Sequence, residues 1–325
     1  MRTCTAFHRF MLALCGAACC AGATAQQYPD KPIRIIITGP AGGPTDVAAR
    51  AVGEGLAETL GQLVFDNRAG AAGMIGAEIV SHATPDGYTL MLSHGGPLGL
   101  GPLLATKPPY DPLKDFAHIS LVMSMPMLLI VNPGVAAKSV PDLVSLAKSR
   151  PGKLNYASGG AGTGIHMAGE LFKSVAGVDI VHVPYKGAAP GMTALMGGEV
   201  DMMFNGLANT MPFIKSGRVR VLAVSGNKRT PLLPELPTIA ESGLPFDYNG
   251  WYGLLAPPGL AKPMVGRIHA SLMKALETPA TRDRLKMLGI ESIGSSPEQF
   301  REYLRNENTK MAKVIAATGM RTNAR

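Results

Sequence analysis

Short apolar runs rich in isoleucine, valine and leucine alternate with helical patterns along most of this chain. This alternation restricts the fold strongly, because strand–helix–strand successions pack as parallel or mixed sheets with helices over both faces. We therefore predict an α/β fold. The predicted strands cover residues 33–38, 62–66, 88–92, 119–123, 127–132, 154–157, 180–183, 200–204 and 219–225. The predicted helices cover residues 44–60, 74–82, 141–149, 163–176, 188–197, 263–277, 280–288 and 297–317.

The length of the chain, 325 residues, is enough for two domains. We expect one lobe to combine residues 26–125 with residues 226–325, and a second lobe to contain residues 126–225. The apolar runs at 125–132 and 219–227 are the strands expected to cross between the lobes.

Residues 1–25 have the composition of a secretory signal peptide. Arg2 and Arg9 accompany no acidic residue and precede a short apolar run, and Ala23 and Ala25 supply the small residues before a cleavage site. The apolar run is too short to span a membrane. We therefore expect this leader to be removed and the mature protein to be exported.

All four cysteines fall in this leader, at Cys4, Cys15, Cys19 and Cys20. Acylation of Cys19 or Cys20 would make the protein a lipoprotein, but the residues before them match a lipoprotein signal poorly. A mature chain without cysteine has no disulfide, no thiolate metal site and no cysteine nucleophile. No histidine pair has the spacing of a zinc site, so we expect no metal.

The formal net charge is +8, and two of these positive charges belong to arginines of the leader. A moderately basic exported protein favours anionic ligands through its field, although a charge of this size also serves solubility. No basic run is interleaved with aromatic residues, so we expect no nucleic-acid partner. No later stretch is long and apolar enough for a membrane helix.

Residues 33–50 form the pattern of an apolar strand, a glycine-rich turn and the start of a helix. Such a turn presents backbone N–H groups and the positive end of a helix dipole, which attract anions. The turn has neither the ending of a Walker A loop nor the glycine spacing of a dinucleotide fingerprint. Its N–H groups and the Thr45 hydroxyl suit a carboxylate, and we interpret Asp46 as a helix-start residue.

Residues 154–170 repeat this design further along the chain. Ser158 and Thr163 offer hydroxyl groups, and the glycines between them let the backbone approach a ligand closely. His166 is more typical of a packed or capping histidine than of a metal ligand. The two loops together suggest two parts of the chain closing on one anionic small molecule.

Three further residues attract attention. Lys186 either closes on an anion across a cleft or is a surface lysine at a turn, and both interpretations stay open. Asn205 follows an apolar run and could hydrogen-bond into the cleft. Trp251, the only tryptophan, is interpreted as core or hinge packing rather than as a platform for a ligand.

Several characteristic segments follow one another along the chain: PDKPIRIIITGPAGGPTDVAAR, NRAGAAGMIGAE, PDGYTLML, LNYASGGAGTGIHMAGELF, HVPYKGAAPGMTALMGGEVDMMF and LPELPTIAESGLPFDYNGWYGLLAPPG. This series resembles the solute receptors of tripartite tricarboxylate transporters, also called the Bug family. The resemblance extends over essentially the whole mature chain, and the HVPYKG and LPELPTIAESG strings are its most specific parts.

The resemblance implies a two-lobed clamshell of the type II periplasmic-binding-protein class, in which each lobe is a mixed, mostly parallel sheet flanked by helices. It also implies a periplasmic, monomeric receptor without cofactor or enzymatic activity. Such a receptor binds an organic carboxylate between its lobes, which could be a di- or tricarboxylate, an aromatic acid or an amino acid. It then delivers this solute to the membrane permease subunits of a tripartite tricarboxylate transporter.

The ligand-binding residues implied by the resemblance are Gly42, Gly43, Thr45 and Asp46 in the first loop, Ser158, Gly162, Thr163 and His166 in the second, and Asn205 at a strand end. Many relatives have a proline and an aromatic residue where Thr38 and Gly39 stand here, so the ligand of a relative cannot be assumed. Ser93 and His94 are also individual to this chain, and we expect them to contact the far end of the ligand.

Two other functions stay open from the sequence. A sensor would use the same clamshell and dock its closed form on a signalling protein. An exported hydrolase would need a nucleophile in contact with a base, and no G-x-S-x-G motif points to one.

Overall fold

The computed structural model describes residues 28–319, so the predicted signal peptide and all four cysteines lie outside the described residues. The first part of the fold contains β1 (Ile33–Ile37), α1 (Pro44–Leu60), β2 (Leu63–Asn67), α2 (Met74–Ser81), β3 (Thr89–His94), α3 (Gly101–Leu104) and β4 (Ala117–Val131). A π-helical turn at Gly96–Leu100 leads into α3, and a 3-10 turn at Ala71–Gly73 leads into α2.

The chain then forms α4 (Val140–Ser149), β5 (Asn155–Ser158), α5 (Gly164–Ala176), β6 (Val181–Pro184), α6 (Ala188–Gly197), β7 (Met202–Gly206), α7 (Leu207–Lys215) and β8 (Arg220–Val224). The last part contains β9 (Asn249–Ala256), α8 (Lys262–Glu277), α9 (Pro279–Met287), β10 (Glu291–Ser292) and α10 (Pro297–Thr318). The predicted mixed α/β fold is confirmed.

One long strand, β4, joins two half-sheets. The strand order is β2-β1-β3-β9-β4-β7-β5-β6, and β8 and β10 also pair with β4. The first half-sheet contains β2, β1, β3 and β9 with residues 117–126 of β4, and the second contains β7, β5, β6 and β8 with residues 127–131. In each half-sheet, the strands that precede the glycine-rich loops are parallel to their neighbours.

The sequence predicted two strands where the structure has the single strand β4. Pro126 separates the two predicted runs, and proline removes a ladder hydrogen bond. The strand continues because its partner changes at this position, from β9, which begins with Asn249 opposite Pro126, to β7, whose Gly206 lies opposite Met127. The backbone N–H that Pro126 lacks is therefore missing where the pairing of β4 with β9 ends and its pairing with β7 begins.

Strand β9 and helix α7 were not predicted. The β9 sequence contains Gly250 and Gly253, which weaken a strand pattern, and α7 contains Pro212. A side chain at position 253 would overlap the ring of Phe300 on α10. The glycine is therefore needed for packing, which a pattern of hydrophobic residues does not reveal.

The C-terminal helix α10 packs on both halves of the molecule. Its N-terminal half contributes Phe300 and Leu304 to a core with Trp251, while Met311 and Val314 join the core of the second half-sheet. The ring of Trp251 is 1% exposed and meets Phe300 edge-on, which confirms that it is a packing residue.

We propose that the two half-sheets are the cores of two lobes. Residues 226–248, expected in the first lobe, pack with the second half-sheet, since Ile239, Phe246 and Tyr248 belong to its core. The proposed lobes therefore comprise residues 28–125 with 249–319, and residues 126–248.

We predict that Gly253→Ala destabilises the protein by about 1–3 kcal/mol, because the added methyl group overpacks the core against Phe300. Chemical denaturation measures this change. The matched control is Gly266→Ala on the exposed side of α8, where an added methyl group meets no atom within 4 Å. That control should be neutral or stabilising because alanine favours the helix, and an equal loss in both variants would contradict the packing argument.

Candidate functional site

The twelve residues predicted to bind a ligand all lie at, or just after, the carboxyl ends of parallel strands. Residues 38–46, the first loop, connect β1 to α1, and residues 158–164, the second loop, connect β5 to α5. Ser93 and His94 end β3, Lys186 follows β6, and Asn205 lies near the end of β7. The predicted strand–turn–helix order of both loops is confirmed.

The first loop uses its glycine N–H groups internally. The N–H of Gly42 donates to Asp46 Oδ2 at 2.9 Å, and the N–H of Gly43 donates to the carbonyl of Pro40 at 3.1 Å. The first-turn N–H groups of Thr45 and Asp46 have no partner within α1. The anion-binding capacity of this loop therefore lies at the start of α1 rather than at the glycines.

Asp46 holds the first loop together. Its carboxylate accepts from Gly42, from Arg50 Nε at 3.0 Å and from Asn67 Nδ2 at 3.2 Å, and Asn67 also donates to the carbonyl of Gly39. Burial by itself raises the pKa of Asp46, but these hydrogen bonds outweigh burial and hold that pKa below its usual value. The interpretation of Asp46 as a helix-start residue agrees with these contacts.

The second loop folds on itself in a similar way. Thr163 caps α5 by accepting from the N–H of His166 at 3.3 Å, and it donates to the carbonyl of Gly160 at 2.8 Å. Gly162 donates its N–H to His166 Nδ1 at 3.2 Å. The first-turn N–H groups of Gly164 and Ile165 have no partner within the helix and remain as donors at the start of α5.

Ser158 is fully buried and lies at the centre of this loop. Its hydroxyl oxygen accepts from the N–H of Gly160 at 3.0 Å, lies 3.2 Å from the carbonyl oxygen of Gly160, and lies 2.6 Å from His182 Nε2. The Ser158 hydroxyl is therefore hydrogen-bonded both to the loop backbone and to His182.

His166 and His182 stack beneath the second loop, with ring centroids 4.0 Å apart. Burial lowers the pKa of His166 to about 4, and burial followed by the proximity of His166 lowers the pKa of His182 to about 3. Next to this stack, Tyr156 donates to Glu170 at 2.7 Å, and Lys173 pairs with the same carboxylate. His166 is thus a packed histidine that accepts a loop N–H.

The two loops contact the opposite half of the molecule. A methyl group placed on Gly162 would lie 3.1 Å from Ala72 Cβ, and one placed on Gly96 would lie 3.0 Å from the carbonyl oxygen of Gly162. On the other side, a methyl group on Gly187 would lie 3.9 Å from Cγ of Pro40. The second loop therefore lies against Ala72 and the turn after β3, while Pro40 of the first loop lies near Gly187, so the two halves meet on this side of the molecule.

The end of β3 forms a third wall of this region. Thr38 donates its hydroxyl to Ser93, which is fully buried, and the N–H of Gly96 donates to His94 Nδ1 at 3.0 Å. Burial lowers the pKa of His94 to about 4, against a weaker opposing effect of a backbone hydrogen bond with Thr38. The imidazole of His94 is therefore neutral at neutral pH.

Two of the predicted residues differ strongly in their surroundings. Lys186 is exposed at the turn before α6, and the contacts of this turn do not decide between its two interpretations. Asn205 is 2% exposed and lies opposite Leu128 of β4, and within residues 28–319 its Oδ1 has no hydrogen-bond partner. A buried amide oxygen without a partner costs about 1–3 kcal/mol, and Asn209, Asn249 and Asn308 have a buried Oδ1 of the same kind.

Sequence reasoning missed His182, Tyr156 and Asn67. Tyr156 lies opposite His182 in the register of β5 and β6, so both side chains share one face of the sheet with Ser158. Only the register brings these residues together.

In the part of the chain that the structure describes, no group of three or more His, Cys, Asp or Glu residues could hold a metal ion.

Four histidines have a lowered pKa because they are buried: His94, His118, His166 and His182. Their pKa of about 6.5 in the unfolded chain means that the unfolded state takes up protons first as the pH falls. Stability present above about pH 6.5 should therefore be lost progressively toward about pH 4. His182→Gln removes one of these groups. Between pH 7.5 and pH 5, the free energy of unfolding of this variant should therefore fall less than that of the unsubstituted protein, as measured by chemical denaturation.

The matched control for this experiment is His82→Gln, because His82 is exposed at the end of α2. This substitution tests whether the loss of any histidine, rather than of a buried one, changes the measured slope. An equally steep loss in His182→Gln and in the unsubstituted protein would contradict the assignment of His182 as a buried neutral group.

The model of the tripartite tricarboxylate transporter family receptor matches residues 48–320. The protein BugT of Bordetella pertussis is 34% identical over 306 residues, which cover 93% of this chain and 94% of BugT.

No described helix is long and apolar enough to cross a membrane.

Two solved structures from Rhodopseudomonas palustris have the same fold. One, determined with adipate, is 34% identical with a TM-score of 0.85 and covers 90% of this chain and 99% of that protein. MatC, determined with bound malate, is 32% identical with a TM-score of 0.82 and covers 89% of this chain and all of that protein. These likenesses confirm the periplasmic-binding-protein fold, and the chain belongs to the family of tripartite tricarboxylate transporter receptors.

Proposed function

We propose that this protein is a periplasmic receptor that binds an organic carboxylate between its two lobes and delivers it to the permease of a tripartite tricarboxylate transporter. The observation that carries the proposal is that each glycine-rich loop contacts the opposite half of the molecule and leads into a helix start whose first-turn N–H groups have no partner within the helix. Family membership supports the same conclusion, as do the adipate and malate bound by two relatives.

The donors of the proposed site come from both lobes. Thr45 and Asp46 supply N–H groups at the start of α1, and Gly164 and Ile165 supply them at the start of α5. A carboxylate has two oxygens with about four acceptor positions, so it can bridge both sets. The partial positive charge of the two helix starts stabilises this anion without an arginine.

Glycines and hydroxyl groups of the loops act indirectly in this proposal. Gly42, Gly43, Gly162, Ser158 and Thr163 make the internal hydrogen bonds that give each loop its shape. The proposed site therefore depends on loops that are folded before a ligand arrives, which reduces the entropy cost of binding.

Asn205 is the proposed polar contact beyond this carboxylate. Its amide lies near the end of β7, beside β5 and the second loop, and its buried Oδ1 lacks a partner within the described residues. A ligand hydroxyl, amine or water that reaches this oxygen on binding would remove the cost of leaving it unpaired.

A hydrolase is the second candidate, because Ser158 Oγ and His182 Nε2 are 2.6 Å apart, as a nucleophile and its base would be. However, Ser158 is fully buried, and among the described residues no carboxylate hydrogen-bonds to His182. A fluorophosphonate probe should leave the protein unlabelled. Labelling at Ser158 would favour the hydrolase.

We predict that at least one carboxylate raises the melting temperature of the mature protein. A ligand present at 100 times its Kd stabilises the folded state by about 2.7 kcal/mol. Thermal shift with malate, adipate, citrate, benzoate and glutamate measures this effect, and each amide or methyl ester serves as a control without the carboxylate charge. A folded, ligand-free protein that responds equally to acids and esters would contradict the proposal.

We predict that Asn205→Ala weakens carboxylate binding about tenfold or more, because the ligand loses a buried hydrogen bond. The melting temperature of the free protein should change little, since the amide oxygen has no partner to lose. Asn308→Ala on α10 is the matched control, because its Oδ1 is also buried without a partner but lies against Gly99. Calorimetry with the carboxylate that gives the largest thermal shift measures both variants, and equal Kd values for Asn205→Ala and the unsubstituted protein would remove Asn205 from the site.

A further inference from the structure

The second loop lies on a pair of stacked imidazole rings, which we call the histidine pair, His166 and His182. Their ring planes are inclined by 24°, and the ring of Tyr156 continues the stack at 5.0 Å from His182. His166 belongs to α5 and His182 to β6, so the pair connects the helix and the sheet on either side of the loop.

Each member of the histidine pair holds one N–H group of the loop. His166 Nδ1 accepts directly from Gly162. His182 acts through Ser158, whose hydroxyl oxygen accepts from the N–H of Gly160. Gly160 and Gly162 have φ angles of +117° and +81°, a backbone region that favours glycine, so the loop depends on contacts that hold this conformation.

The contact between His182 and Ser158 orients the hydroxyl group in either direction of the hydrogen bond. The Ser158 oxygen accepts from the Gly160 N–H, and it lies closer to His182 Nε2, at 2.6 Å, than to the Gly160 carbonyl oxygen, at 3.2 Å. That carbonyl oxygen already accepts from the N–H and from the hydroxyl of Thr163. An imidazole nitrogen that donates to Ser158 and one that accepts from it both fix the Ser158 hydroxyl.

We propose that His182 is a positioning residue that acts through Ser158 to keep the second loop in its ligand-binding shape. The inference rests on the proposed function, because the first-turn donors Gly164 and Ile165 follow directly from this loop. Without the imidazole at position 182, the Ser158 hydroxyl can rotate and the N–H of Gly160 loses its fixed acceptor. The start of α5, which follows this loop directly, then loses its fixed position.

Amide hydrogen exchange in the ligand-free protein tests this inference without any ligand. His182→Leu should raise the exchange rate of the Gly160 amide about tenfold, and Ser158→Ala should do the same. His182→Gln should retain slow exchange, because the glutamine amide can place a polar atom near the position of Nε2 and hydrogen-bond to Ser158. An unchanged Gly160 amide in folded His182→Leu would overturn the proposal, and His82→Leu is the control at an exposed histidine.

Binding of malate and adipate, measured by calorimetry, gives the second readout. His182→Leu and Ser158→Ala should each weaken binding about tenfold, and the double variant should be no weaker than the weaker single variant, because both act through one hydroxyl. Fully additive losses, or a lowered melting temperature with unchanged Kd, would overturn the positioning role. If the unsubstituted protein binds no carboxylate, the proposed function fails, and the Gly160 exchange rate alone decides the role of His182.

Discussion

The continuity of β4 through Pro126 is the constraint on which the rest of the structure depends. This strand gives its first ten residues to one half-sheet and its last five to the other. Both half-sheets share this strand, so it fixes the half that carries β1 and the first loop relative to the half that carries β5 and the second loop. A break at Pro126 would divide the sheet into two.

Helix α10 adds a second connection between the halves. It packs Phe300 into one core and Met311 into the other, and Met311 also lies against Gly95 and Gly99 of the turn after β3. Any opening of the cleft therefore has to keep or exchange these contacts. Periplasmic binding proteins close around their ligands by hinge motion. In this chain, β4, the segment after β8 and α10 are the connections between the two halves.

The backbone N–H groups of the two loops show how a glycine-rich sequence works in this fold. Glycine was expected to leave its N–H free for an anion. Instead, Gly42, Gly43, Gly160 and Gly162 donate to Asp46, Pro40, Ser158 and His166 within their own loops. The helix starts that follow retain unpaired N–H groups because an α-helix cannot satisfy its own first turn. The loops are thus folded supports, and the helix starts are the proposed contacts.

By itself, the sequence determined the α/β class, most of the strands and helices, the two strand–turn–helix loops and the family, since these depend on local periodicity and on motifs that are contiguous in the chain. It did not reveal β9, α7 or the continuity of β4. The tertiary structure alone decided which strands pair and which residues meet. His182 reaches Ser158 through the register of β5 and β6, and Gly253 is needed because Phe300, from a distant helix, occupies the space beside it. Such contacts join residues far apart in sequence, so no local pattern records them.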